Sequence, residues 1–215
     1  MRGLATARML CAVTTRYRTV EAASRFEDDP VKGSRFIADV LPAYSPEGAL
    51  EAIEAVRADL SDGRHHCWAW RLDPEGRQCR SSDDGEPGNS AGAPILRQIE
   101  GHGVSGLVVV VTRYFGGVKL GVGGLIRAYG GAAGRALDRA SIVERAVLRR
   151  LAIRYPYEAS GAVEGVLARH GATVERSEYG AEVAAELSVA VDAEPFLRDE
   201  LRDASAGRVR IEPLE

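Results

Sequence analysis

Leu107-Val108-Val109-Val110-Val111-Thr112-Arg113-Tyr114-Phe115-Gly116-Gly117-Val118-Lys119-Leu120-Gly121-Val122-Gly123-Gly124-Leu125-Ile126-Arg127-Ala128-Tyr129-Gly130-Gly131 reads as a buried strand, a glycine turn and a helix. Glycine permits positive φ and close approach of a ligand. A helix start offers unpaired N–H groups and the positive end of a dipole, which favour anions. Arg113, Lys119 and Arg127 add positive charge to that turn. Two readings follow: an anion site built on Arg113, Gly116, Gly117, Lys119, Gly121, Gly123, Gly124 and Arg127, or a tight connection whose glycines avoid clashes. Neither nucleotide template fits. No Gly-Lys-Ser/Thr follows at P-loop spacing, and Ile126 stands where the dinucleotide motif needs a third glycine.

Working outward, Leu125, Tyr129, Ala132, Ala136 and Leu137 make one apolar helical face extending to about Ala140. Gly130, Gly131 and Gly134 imply a backbone packed closely against that helix, because each mid-helix glycine costs about 1 kcal/mol relative to alanine. Upstream, Arg35–Val40 reads as a strand. Ser45-Pro46-Glu47 opens a helix carrying Leu50, Ile53, Val56 and Leu60. His66–Leu72 and Arg77–Ser81 read as a hairpin turning at Asp73-Pro74-Glu75-Gly76, and a further helix starts between Asn89 and Pro94. Downstream, strand 148–155, helix 158–170, strands 172–179 and 181–191, helix 193–204 and strand 208–212 give the βαββαβ order of a ferredoxin-like domain.

The 215 residues therefore divide into a basic N-terminal arm (1–18, with Arg2, Arg8, Arg16 and Arg18), a domain over 19–142 and a domain over 143–215. The class is α+β. Apolar content of 45% with 27% charged residues is that of an ordinary globular protein. Net charge is only −3, but residues 113–150 hold 8 basic against 2 acidic side chains, while 151–215 hold 7 against 13. The basic segment suits a polyanion. Cys11, Cys67 and Cys79 are odd in number and lack metal spacing, which favours a reducing, cytoplasmic setting. No apolar run approaches the roughly 20 residues that span a bilayer. Oligomeric state leaves no mark on the pattern.

Ser82-Asp83-Asp84-Gly85-Glu86-Pro87-Gly88-Asn89-Ser90 is a second candidate. Its carboxylates either pair with and orient Arg113, Lys119 or Arg127, or form a plain turn, or bind a divalent cation through oxygen ligands in metal-assisted catalysis. In His65-His66-Cys67-Trp68, adjacent histidines point to opposite faces and cannot share a metal. Cys67 reads as small core filler and one of the two histidines as lining a cleft. His102 and His170 sit where a cation suits a helix C-terminus. Among the aromatics, Tyr114 or Tyr129 is expected to be partly exposed. No resident cofactor or metal is expected.

His65-His66-Cys67-Trp68-Ala69-Trp70, Ser82–Pro87, Ala91-Gly92 and the run Arg113–Gly131, in that order, resemble the YigZ/IMPACT family over about residues 31–140. The acidic C-terminal domain is similar to that of the bacterial, YigZ branch. The resemblance implies a first domain like domain 2 of ribosomal protein S5 and a second like a C-terminal domain of translation elongation factors. Eukaryotic members regulate translation by competing for an activator of a starvation-responsive kinase. Members have also been labelled peptidases, but no peptidase constellation is present. Onto the family's motifs fall His66, Asp83, Asp84, Glu86, Arg113, Lys119 and Arg127 as expected cleft residues. The expected activity is non-enzymatic: binding of RNA, the ribosome or a translation-related protein, with phosphate held over the glycine turn. Alternatives are a metal-assisted enzyme on a phosphorylated small molecule, and a protein-interaction module.

Overall fold

The computed structural model describes residues 14–214 and divides into a compact unit Arg16–Arg145 and a second running from Ala146. In the first, the elements are β1 (Arg16–Val20), β2 (Ser24–Glu27), β3 (Arg35–Pro42), α1 (Pro46–Asp59), β4 (His65–Arg71), β5 (Cys79–Ser82), α2 (Gly92–His102), β6 (Leu107–Tyr114), α3 (Val122–Arg139) and β7 (Ile142–Ala146). An antiparallel sheet runs in the order β2-β3-β6-β4-β5, and β1 pairs separately with β7.

β6 is central, and its continuous valine run is explained by burial on both faces. Val108 and Val110 pack with Trp68, Trp70, Ile53 and Val56 under α1, while Leu107, Val109 and Val111 pack with Ala38, Cys67, Ala69, Ile95 and Ile99 under α2 and α3. The period-two alternation thus assigns each side chain to one of two helical layers. At the start of α1, Ser45 Oγ accepts from the Gly48 amide at 3.1 Å with Pro46 in the first turn. Gly130 and Gly134 admit α2: a Cβ on Gly134 would lie 2.7 Å from Gln98 Oε1, and one on Gly130 3.6 Å from Pro94 Cβ. Gly131 differs from expectation. Its nearest neighbour is the Arg135 side chain of its own helix, not another element.

The second unit comprises β8 (Leu148–Tyr155), a 3₁₀ turn Tyr157–Ala159, α4 (Ser160–Arg169), β9 (Thr173–Tyr179), β10 (Val183–Ala190), α5 (Glu194–Ala204) and β11 (Arg210–Pro213). Its sheet order β11-β8-β10-β9 is antiparallel throughout. Leu151, Ile153, Leu187 and Val189 pack against Val163, Val166, Leu197 and Leu201 of the helices. The chain is α+β, and this βαββαβ order is the one the sequence pattern specifies.

The ends of the first unit depart from the sequence reading. Arg16 and Arg18, expected in a free basic arm, lie in β1, where Arg16 pairs with Glu144 at 3.3 Å and Arg18 donates to the His102 carbonyl at 2.8 Å. Arg2 and Arg8 lie outside the described residues. Residues 142–146, expected at a boundary, form β7. Both strands are short and carry charged exposed positions, so they lack the apolar signal that marks a central strand. The helix expected over 158–170 is divided into the 3₁₀ turn and α4.

Candidate functional site

The end of β6 delivers Arg113 into the α2/α3 side of the sheet. Its cross-strand partners are Phe36 on β3 and His65 on β4, and opposed residues share a face. The Arg113 side chain is only 7% exposed and donates to Glu86 Oε1 at 2.6 Å; Glu86 is 5% exposed. Tyr129 of α3, fully buried, donates its hydroxyl to the same oxygen at 2.8 Å and meets the Phe36 ring edge-on, centroids 5.2 Å apart. Ser34 Oγ sits 3.4 Å from Arg113 Nη2. Burial, with Cys67 and Glu86 close by, pushes the Tyr129 phenol well above its ordinary value. The Cys67 thiol, held against the Asp83 carbonyl at 3.0 Å, is pushed up to about 12 chiefly by burial. Two valences remain open in this cluster. Arg113 Nε is buried without an acceptor, and Glu86 Oε2 has no partner among the described residues. For Arg113 Nε, the buried one of the two, that costs about 1–3 kcal/mol.

Above this floor the chain turns outward. Residues 115–119 and 121–123 are exposed, with Phe115 at 45% and Val122 at 52%. Gly116 is glycine for a packing reason: a Cβ there would lie 1.9 Å from the Gly33 carbonyl carbon, and its amide already donates to Ser34 Oγ at 3.2 Å. Gly117 (φ +86°) and Gly121 (φ +71°) are glycine for conformational reasons, with open space around both. Gly124 is tight against Leu120, whose Cβ would stand 3.0 Å away, and Gly123 faces only the Arg127 guanidinium. α3 starts without a side-chain cap, so the amides of Val122, Gly123 and Gly124 are the free donors of a helix start. Lys119 and Arg127 are exposed and have no acidic partner among the described residues.

Beneath the turn lies a cavity of about 350 Å³ lined by Glu86, Pro87, Arg113, Phe115, Lys119, Leu120, Gly121, Val122 and Leu125. Its walls are mostly apolar, its floor is the Glu86–Arg113 pair, and Lys119 belongs to its lining. Sequence reasoning identified the pair's members and the turn but not Ser34, Phe115, Leu120 or Val122. Ser34 carried no local signal, because only the β3–β6 register brings it to Arg113. Of Tyr114 and Tyr129, one of which was expected to be partly exposed, it is Tyr114 that is so, Tyr129 being buried; Phe115 is the more exposed ring beside the turn.

The acidic loop does several jobs. Of its three carboxylates only Glu86 meets one of the three expected cations. Asp83 Oδ1 accepts from the amides of Ala91 and Gly92, both at 2.9 Å, and Oδ2 from Asn89 at 2.8 Å, so Asp83 caps α2 from the loop that leads into it. Asp84, in the left-handed region at φ +43°, accepts from Arg57 Nη2 at 2.8 Å and from the His66 amide at 2.7 Å. It ties the loop to α1 and β4. These oxygens are engaged by protein donors, so Asp83 and Asp84 hold the loop to α2, α1 and β4.

His66 is placed outside the cleft, contrary to expectation. It opposes Thr112 on the α1 face, is buried, and its Nε2 stands 3.0 Å from the Leu60 carbonyl. The parity was available: His66 shares its face with Trp68 and Trp70, the stacked pair of the α1 core. His65 instead shares Arg113's face, with Nδ1 2.8 Å from the Asp84 carbonyl.

The geometry has close counterparts. Residues 32–137 match the Impact N-terminal domain, and residues 153–208 match a domain of unknown function, DUF1949. The chain is 33% identical to the IMPACT family member YigZ of Escherichia coli over 189 residues, 87% of this chain and 93% of that protein. It is 46% identical to an IMPACT family member of Thermus thermophilus over 141 residues, covering 65% of this chain and 75% of the other. A crystal structure described only as that of a hypothetical protein superposes with a TM-score of 0.77 at 32% identity, covering 94% of this chain and 99% of the other. Among the described residues no helix is long and apolar enough to cross a membrane. Both domain matches and the near-full-length likeness to YigZ place the chain in the IMPACT family.

Proposed function

We propose that this chain is a non-enzymatic, translation-associated binding protein that holds phosphate of RNA or of the ribosome over the turn Gly117–Gly124. The translation context comes from the family, whose eukaryotic members regulate translation. The observation that carries the site is the division of labour among cations. Arg113 is sequestered by Glu86, whereas Lys119 and Arg127 are exposed beside the uncapped start of α3. A helix start and flexible cations recognise phosphate without reading bases. Gly116 is removed from the binding set, because Ser34 already occupies its amide. Glu86 and Arg113 lie under the turn, and Asp83 and Asp84 hold the loop that carries Glu86.

Such a contact is electrostatic, so affinity for generic RNA falls steeply with salt. Fluorescence anisotropy of a labelled RNA across a salt series tests it. Lys119→Ala/Arg127→Ala is expected to weaken binding at low salt and to lower the slope of log affinity against log salt by about 2. Unchanged binding and slope in that variant would remove the turn from the interface. A protein partner captured from lysate by both wild type and variant, with nuclease present, would favour the interaction-module reading.

A further inference from the structure

We propose that the cavity under the turn receives the ring of an unpaired nucleotide whose phosphate lies on the Lys119 side; this rests on the phosphate reading of the turn. The volume, about 350 Å³, lies in the range of small-molecule sites, roughly 300–1,000 Å³. Pro87, Leu120, Val122 and Leu125 supply apolar walls for a flat ring, and half-exposed Phe115 supplies an aromatic face on which it can stack.

The floor makes the choice sharper. Glu86, nineteen-twentieths buried, spends Oε1 on both Arg113 and Tyr129 and leaves Oε2 without a partner among the described residues. That oxygen is free to accept an N–H or O–H donor. An aliphatic chain entering the cavity offers it none. A nucleobase edge carries ring or exocyclic N–H donors, so a flat ring can meet it. The charges agree: Lys119 beyond the neutralised Glu86–Arg113 pair gives the lining one positive charge in excess, suited to a phosphate. A paired base hides that edge and cannot enter, so duplex RNA is bound only by its backbone. The same chemistry is offered by a strand of RNA and by a free nucleoside monophosphate.

The test compares, for the whole protein, an eight-nucleotide single-stranded RNA, the same strand with abasic sites, its duplex, and the four nucleoside monophosphates. Val122→Trp is the cavity-filling variant; Val122 is half-exposed, so the substitution leaves the core intact, and thermal melting checks this. The single strand is expected to bind about tenfold more tightly than the abasic strand, with Val122→Trp removing that difference. Monophosphate binding that Val122→Trp abolishes would support the cavity and identify the free nucleotide as its source. Equal binding of single, abasic and duplex RNA, still weakened by Lys119→Ala/Arg127→Ala, would overturn the cavity proposal and leave the phosphate reading standing. No RNA or nucleotide binding at all would overturn both.

Discussion

Arg113 and Glu86 show how one contact redefines a residue's role. As a sequence position Arg113 is a cation beside a glycine turn; in the fold it is a buried charge whose compensation is a single carboxylate. Removing one member of a buried pair leaves the other uncompensated, which costs about 3–5 kcal/mol. Glu86→Ala is therefore expected to lose stability of that order in urea unfolding. Glu86→Gln, which keeps an acceptor for Arg113 and Tyr129, is expected to lose less. A loss below about 1 kcal/mol in Glu86→Ala would mean that the pair does not support the turn. Cys67 gives a second test at this scale. With the thiol pushed up to about 12 from 9.0, it stays protonated at pH 8, so a thiol reagent is expected to label it only on unfolding. Because the unfolded thiol ionises first, its contribution to stability is whole below about pH 9 and is lost as pH rises toward 12. Rapid labelling of Cys67 in the folded protein would contradict its placement.

The glycine turn separates, position by position, into structural and open sites. Gly116→Ala drives a methyl into the backbone of Gly33 and Ser34, so it is expected to unfold or severely destabilise the first domain. Gly123→Ala meets only the Arg127 side chain at 3.7 Å within the first turn of α3, and is expected to be neutral or to stabilise by up to about 1 kcal/mol. Circular dichroism melts of the two variants distinguish the cases, and equal melts would contradict the assignment. Much of this was legible beforehand. The valine run, the Ser45-Pro46 start and the downstream βαββαβ order follow from local periodicity and capping, which one chain segment records by itself. β1, β2 and β7 were not legible, because short strands bearing charge have no apolar alternation to read. In the site, Arg113, Glu86 and the turn could be singled out from residue type and spacing. That Asp84 holds Arg57 and that Ser34 reaches the turn depend on long-range register, and that Asp83 caps α2 depends on how the preceding loop folds back; spacing encodes neither. His66 was misplaced because one residue of strand parity decides the face, and its Trp68 and Trp70 neighbours fix that parity.

At the scale of the molecule, basic charge gathers in residues 113–150 and acidic charge in 151–215, although the net charge is only −3. Much of the basic excess is already spent within the first domain: Arg135 on Asp28, and Arg113 on Glu86. What remains facing solvent beside the turn is Lys119 and Arg127, and the account stands or falls on them. Backbone amide chemical shifts of the whole protein, followed while a short single-stranded RNA is added at low salt, locate the contact directly. The account predicts concentrated shifts at Gly117, Lys119, Gly121, Val122, Gly123 and Arg127, with the amides of β9 and β10 unmoved. Shifts confined to the second domain, or none at the turn while RNA is bound, would contradict it.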